Sequence, residues 1–182
     1  MTYEIFRSSR RTVGIQIRDG RVIVRAPRFV PKAEIERIVS ENGAWIEKRL
    51  ARSRAQKEAE EAAVKFTGSE LKEIRREARQ RIPERVAFYA ERIGVTYGRL
   101  SFRFQKTRWG SCSSKGNLSF NCLLVLAPAE TLDAVVIHEL CHRKEMNHSA
   151  RFYAEVLKVY PEYKEWNGWL KKHGKELLAR LP

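Results

Sequence analysis

The chain has 182 residues and four histidines, and three of those histidines fall between positions 138 and 148: His138, His142 and His148. The first two frame His138-Glu139-Leu140-Cys141-His142, an H-E-x-x-H run. On a helix, residues four apart lie about 40° apart around the axis, so both imidazoles leave one face. Glu139 lies about 100° from His138, beside that face but not on it. His148 then constrains the path of the chain. Six more helical steps would carry it about 240° around from His142, to the far side. It joins the pair only if the helix ends and the chain folds back. Asn147, tolerant of left-handed backbone, is placed to make that turn, with His148 or Ser149 opening the next helix.

The surroundings say why three imidazoles should meet. Leu132-Asp-Ala-Val-Val-Ile137 precedes the motif and Leu140 and Cys141 lie within it, so the helix is apolar nearly all round. Two histidines and a glutamate are costly in a buried helix unless something satisfies them. One zinc ion per chain, held by His138, His142 and His148 with water in a fourth position, would satisfy all three. Glu139 is then placed as a general base taking a proton from that water. Two other readings compete. One is a pair of hydrogen-bonded core histidines with a chance motif. The other is a structural zinc closed by Cys112 or Cys122, which leaves Glu139 without a role. A metzincin pattern does not fit: Glu145 stands where that pattern has glycine, and the only methionines are Met1 and Met146.

The rest of the chain mixes strands and helices without β-α alternation, which points to an α+β fold. Residues 4–8, 11–18 and 21–26 alternate apolar and polar, and Asp19-Gly20 between the last two signals a hairpin. Pro27 ends it, and Pro31 opens a helix carrying Ile35, Ile38, Val39, Ile46 and Leu50, broken into two short helices near Gly43. Residues 51–65, rich in Ala, Glu, Lys and Arg, suit an exposed helix or a mobile connector. After a break and an N-cap in Thr67-Gly68-Ser69, a long helix should run to about Arg92, kinked or split at Pro83. Strands are expected at 100–105 and 118–122, with a Gly- and Ser-rich loop at 108–116 between them. Pro128 opens a helix of about 16 residues; further helices begin near Ser149 and at Pro161.

Composition bounds the setting. Three cysteines with no C-x-x-C suit a reduced compartment, and the N-terminus lacks a secretory apolar run. The longest apolar stretch, Cys122 to Ala127, is far too short to span a bilayer. A soluble, cytoplasmic protein is expected, with no membrane partner. The net charge of +14 is uneven: residues 1–110 carry 26 Lys and Arg against 14 acids, residues 111–182 carry 10 against 8. The basic N-terminal part could dock on nucleic acid, although interleaved charges such as Glu73-Ile-Arg-Arg-Glu77 also suit a solvated helix face.

The segments Thr107-Arg-Trp-Gly-Ser-Cys112, His138 to His142 and Asn147-His-Ser-Ala-Arg-Phe152 together resemble the YgjP-like metallopeptidases, which are similar to SprT/Spartan proteins. Asp19-Gly20, Arg25-Ala-Pro27 and Ala44-Trp45-Ile46 resemble that family's N-terminal part. The resemblance implies zincin-type zinc ligation by the three histidines, a catalytic Glu139, and a peptide or protein substrate. It implies an N-terminal hairpin plus helices over 1–66 and a zincin-like metallopeptidase domain over 67–182, or the two as one compact unit. The zinc-binding helix should lie beside a small mixed sheet. Residues 51–68 depart from the pattern, being short and helical where many relatives carry further strands. By analogy with Spartan-like proteases, a DNA-associated processing factor is the alternative function; a non-enzymatic scaffold with structural zinc is another.

Other residues divide less sharply. The loop around Trp109 either borders a cleft, beside a strand edge that pairs with substrate, or packs Trp109 as a core anchor. Cys141 reads as packing, Trp166 and Trp169 as helix packing, and His173 as an exposed helix end. Arg108, Asn121, Tyr153 and Tyr160 are the candidates for stabilising an oxyanion.

Overall fold

The computed structural model describes residues 2–182. The chain divides into two compact units, one ending at Ala62 and one spanning Ala63–Pro182.

In the first unit, β2 (Gly14–Arg18) and β3 (Arg21–Pro27) form the expected hairpin, pairing Ile17 with Val22. Asp19 and Gly20 both have positive φ, 51° and 74°, the backbone that a two-residue hairpin turn requires. Earlier in the chain, β1 (Glu4–Ser8) lies parallel to β3, so the sheet order is β1-β3-β2. Val22, Val24 and Ala26 of β3 pack with Ile35, Val39 and Ile46 from two helices, α1 (Lys32–Glu41) and α2 (Gly43–Ala62). The break falls at Asn42, whose side-chain amide donates to the Ile38 carbonyl. The second helix is not short: α2 has 20 residues, of which only Ile46 is buried. The stretch from residue 51 is therefore mostly an exposed helix, as its alanines and long charged side chains permit.

In the second unit, α3 (Gly68–Ile93) starts within the expected Thr67-Gly68-Ser69 segment. Thr67 is the N-cap: its hydroxyl accepts from the Glu70 amide while the Glu70 carboxylate accepts from the Thr67 amide. No split occurs at Pro83; the helix continues to a left-handed Gly94, φ 75°. The buried series Ile74, Ala78, Ile82, Val86, Tyr89 and Ile93 runs on both sides of the proline. Packing along that face outweighs the roughly 3 kcal/mol that an interior proline costs a helix.

The second sheet is small and mixed, in the order β4 (Leu100–Arg103), β6 (Leu118–Asn121), β5 (Gly110–Cys112). The loop expected at 108–116 thus contains a short strand, β5, antiparallel to β6, while β4 is parallel to it. An apolar 3-10 turn, Cys122–Leu126, leads to α4 (Ala129–Cys141), shorter than expected because His142 already caps it. Two further helices follow, α5 (Ala150–Val159) and α6 (Tyr163–Ala179). Buried Leu132, Val136, Ile137 and Leu140 set α4 in the main core with Leu118, Phe120, Leu123 and Leu124. Among the described residues, no helix is long and apolar enough to cross a membrane.

One polar tie fixes α4 against α3. Asp133 accepts two bonds from Arg85, at 2.7 Å each, and one from the Tyr89 hydroxyl at 3.0 Å. Asp133→Ala strands both donors, so unfolding in urea should show a loss of about 2–3 kcal/mol.

Candidate metal centre

The last turn of α4 presents His138 and His142 on one side, with Glu139 next to them. Past His142, successive amides of Arg143, Lys144 and Glu145 bond back to the carbonyls of Leu140 and Cys141, closing the helix in a tight turn. The chain then reverses, though not through a left-handed Asn147: among the described non-glycine residues only Asp19 has positive φ. Asn147 acts through its side chain instead, whose oxygen accepts from the Ser149 amide at 3.2 Å. Ser149 caps α5 by accepting from the Phe152 amide. This local chemistry swings His148 back to its partners.

The three imidazoles meet. His138 Nε2 and His148 Nε2 stand 3.0 Å apart, and one nitrogen from each of the three rings lies within 4.8 Å of the others. Bonds of 2.0–2.1 Å to a tetrahedral ion would set such nitrogens roughly 3.4 Å apart. The outer nitrogens are already occupied: His142 Nδ1 faces the Glu145 carbonyl at 3.1 Å, and His138 Nδ1 faces the Tyr163 hydroxyl at 2.8 Å. A ring whose Nδ1–H donates outward keeps its Nε2 lone pair inward. Burial drives His138 down to about 3, helped by the other two rings, and lowers His142 as well. His138 and His142 are therefore neutral donors near pH 7, the form that binds a metal. Phe152, fully buried, backs the cluster with its ring centroid 4.8, 4.5 and 5.0 Å from those of His138, His142 and His148. The three histidines are the only such group among the described residues, and no cysteine joins it. Cys112, half-buried nearby, is held protonated by burial and by Glu139.

Glu139 is 5% exposed, and burial alone pushes its carboxyl up to about 8. A carboxyl held there exchanges protons near neutral pH. The strand β5 runs directly against it. A Cβ built on Gly110 would lie 2.5 Å from Glu139 Oε1 and 2.7 Å from its Cγ, so only glycine permits this approach.

Trp109 answers both of its readings. Its indole packs on the α6 backbone, where a Cβ on Gly174 would come within 2.9 Å. It also borders a cavity of about 210 Å³ beside His138 and Glu139, with Ala134, Val135, Trp166 and Leu170. Trp166 is thus part of a cleft wall and not packing alone. Of the four oxyanion candidates, Arg108 lines the cleft and Tyr153 stands by His148, ring centroids 6.3 Å apart. Asn121 is committed to the carbonyls of Gln105 and Arg108, and Tyr160 donates to the Glu130 carbonyl. His173 stays outside the cluster, beside Glu176. Tyr163 and Gly174 escape a sequence reading, since nothing near them in the chain marks a tyrosine for His138 or a glycine for Trp109.

A three-imidazole group beside a buried carboxyl is the donor set of a metal-dependent hydrolase. The model of the YgjP-like metallopeptidase domain matches residues 11–73 and 69–173, and the chain belongs to that family. As a metallopeptidase it acts on peptide or protein substrates. No curated protein matches the chain. Two crystal structures are similar to part of it. The metallopeptidase zymogen abylysin of Pyrococcus abyssi is 24% identical, with a TM-score of 0.45, over 50% of this chain and 93% of that one. The zymogen jannalysin of Methanocaldococcus jannaschii is 20% identical, with a TM-score of 0.45, over 50% and 94%.

Tyr163→Phe removes the hydroxyl that pairs with His138 Nδ1 while keeping the ring. Chelator competition on the metal-loaded protein should then show the ion held about 10–100-fold more weakly; unchanged affinity would mean the hydroxyl does not orient that ring.

Proposed function

We propose that the chain is a zinc peptidase in which His138, His142 and His148 hold the ion and Glu139 carries the proton. The observation behind this reading is the convergence of three imidazoles next to a buried, partnerless carboxyl in H-E-x-x-H order. Nitrogen-only donors of this kind favour zinc over the oxygen-seeking cations. Zinc bound there supplies Lewis acidity toward water and the scissile carbonyl. Glu139 takes the proton of the attacking water and returns it to the leaving amine. Gly110 lets β5 lie against that carboxyl, and β5 is an edge strand, so its free side can pair with an extended peptide. Arg108 and Tyr153 are the remaining donors for the developing oxyanion. All three cysteines are free, in keeping with a cytoplasmic setting.

The purified protein should carry about one zinc per chain and cleave an unstructured protein such as reduced casein. Glu139→Gln should retain the metal by elemental analysis and lose hydrolysis by at least about a hundredfold. A variant with full activity would reduce the zinc to a structural role, and a well-folded, metal-free wild type would end the reading.

The cavity walled by Trp109, Val135 and Trp166 suits a large apolar substrate side chain next to the cut bond. Val135→Trp fills it. Mass spectrometry of a digested peptide library should show cleavage beside large apolar residues falling about tenfold or more, with small residues retained there.

A further inference from the structure

A second concave site lies on the N-terminal half of α3. It encloses about 430 Å³ and is lined by Leu71, Lys72, Arg75, Arg76, Arg79 and Phe104. On the helix, positions 72, 75, 76 and 79 fall within about 100° of arc and form one stripe. All four cations are exposed, and no acid joins the lining. The acids of this helix face leave three of the four cations without a counter-charge. Glu73 pairs with Arg76, Glu77 with Arg81, and Glu70 closes the capping box at Thr67. Among the described residues, Lys72, Arg75 and Arg79 have no ion-pair partner.

Three unpaired cations around one hollow repel each other unless an anion enters, and the hollow offers more than charge. The Arg75 guanidinium lies over the Phe104 ring, 5.1 Å from its centroid, making a flat cationic platform on a half-buried aromatic base. Such a plane stacks a nucleobase, and the flanking Lys72 and Arg79 can reach the phosphates on either side of it. An acidic peptide would use the charges but leave the platform idle. A membrane surface would not enter a concavity.

We propose that this groove binds single-stranded polynucleotide, with a base on the Arg75–Phe104 platform and neighbouring phosphates on Lys72 and Arg79. Phe104 follows β4, at the opposite edge of the sheet from β5 and Glu139, so a bound strand leaves the metal centre open. The inference stands apart from the peptidase reading: Glu139→Gln should bind nucleic acid as the wild type does.

The test is fluorescence anisotropy of the full chain with a labelled oligothymidylate of about 15 nucleotides, from about 50 to about 200 mM salt. The wild type should bind with a steep salt dependence. The double variant Lys72→Gln/Arg79→Gln, which keeps Arg75 on its ring, should bind about tenfold or more weakly, its log–log salt slope shallower by roughly 1.4. Phe104→Leu should cost a further loss of about tenfold on the oligonucleotide yet leave inorganic polyphosphate binding within about twofold. Both variants should keep the wild-type circular dichroism. If Phe104→Leu loosens the fold, the double variant alone decides, since its positions are solvent-exposed. An oligonucleotide that does not bind, or that binds the double variant as it binds the wild type, overturns the proposal. Equal competition by polyglutamate, with Phe104→Leu indistinguishable from wild type, would assign the groove to acidic polypeptide and overturn it as well.

Discussion

The reversal of the chain between α4 and α5 is the constraint on which the site depends. Two histidines one turn apart come together from helical geometry alone, but the third must be delivered by a short segment that stops one helix and starts another. Here the stop is a run of amides returning to Leu140 and Cys141, and the restart is the Asn147 side chain followed by the Ser149 cap. Phe152 then locks the result, because one fully buried ring touches all three imidazoles and belongs to the main core. The geometry of the donors is therefore tied to the packing of the domain and not to a loop free to drift.

Around that point the surroundings supply electrostatics more than contacts. Burial keeps His138 and His142 neutral and raises Glu139, so the same desolvation favours donor rings and a protonatable acid. Tyr163 and the Glu145 carbonyl select the ring nitrogens that face inward. None of these effects needs a charged partner. Arg108 lines the cleft, while the basic stripe of Lys72, Arg75 and Arg79 lies on α3, which separates the two kinds of chemistry on one chain.

What could be read in the sequence followed how local the cause was. The hairpin at Asp19-Gly20, the α4 motif and the α5 cap each rest on a few adjacent residues, and each appears where those residues sit. The readings that needed correction were tertiary. Pro83 should disrupt a helix by local rules, but a buried face running past it holds the helix together. The segment around Gly110 has the composition of a loop, and it becomes a strand only because β6 is there to pair with it. Asn147 does turn the chain, by its amide oxygen and not its backbone. Tyr163 meets His138 across 25 residues of chain, and no pattern near either one announces the other. The three histidines were legible; what holds them in place was not.

Gly110 carries a consequence for the strand to which it belongs. Because side chains alternate along β5, sliding it by one residue would turn Trp109 or Ser111 toward the Glu139 carboxyl, and each has a Cβ where there is room for none. A single hydrogen atom thus acts as the registration mark for an edge strand that, at three residues, has few ladder bonds of its own to hold its alignment. On the proposed reading, a peptide paired along its outer side would inherit that alignment and be measured from the same mark.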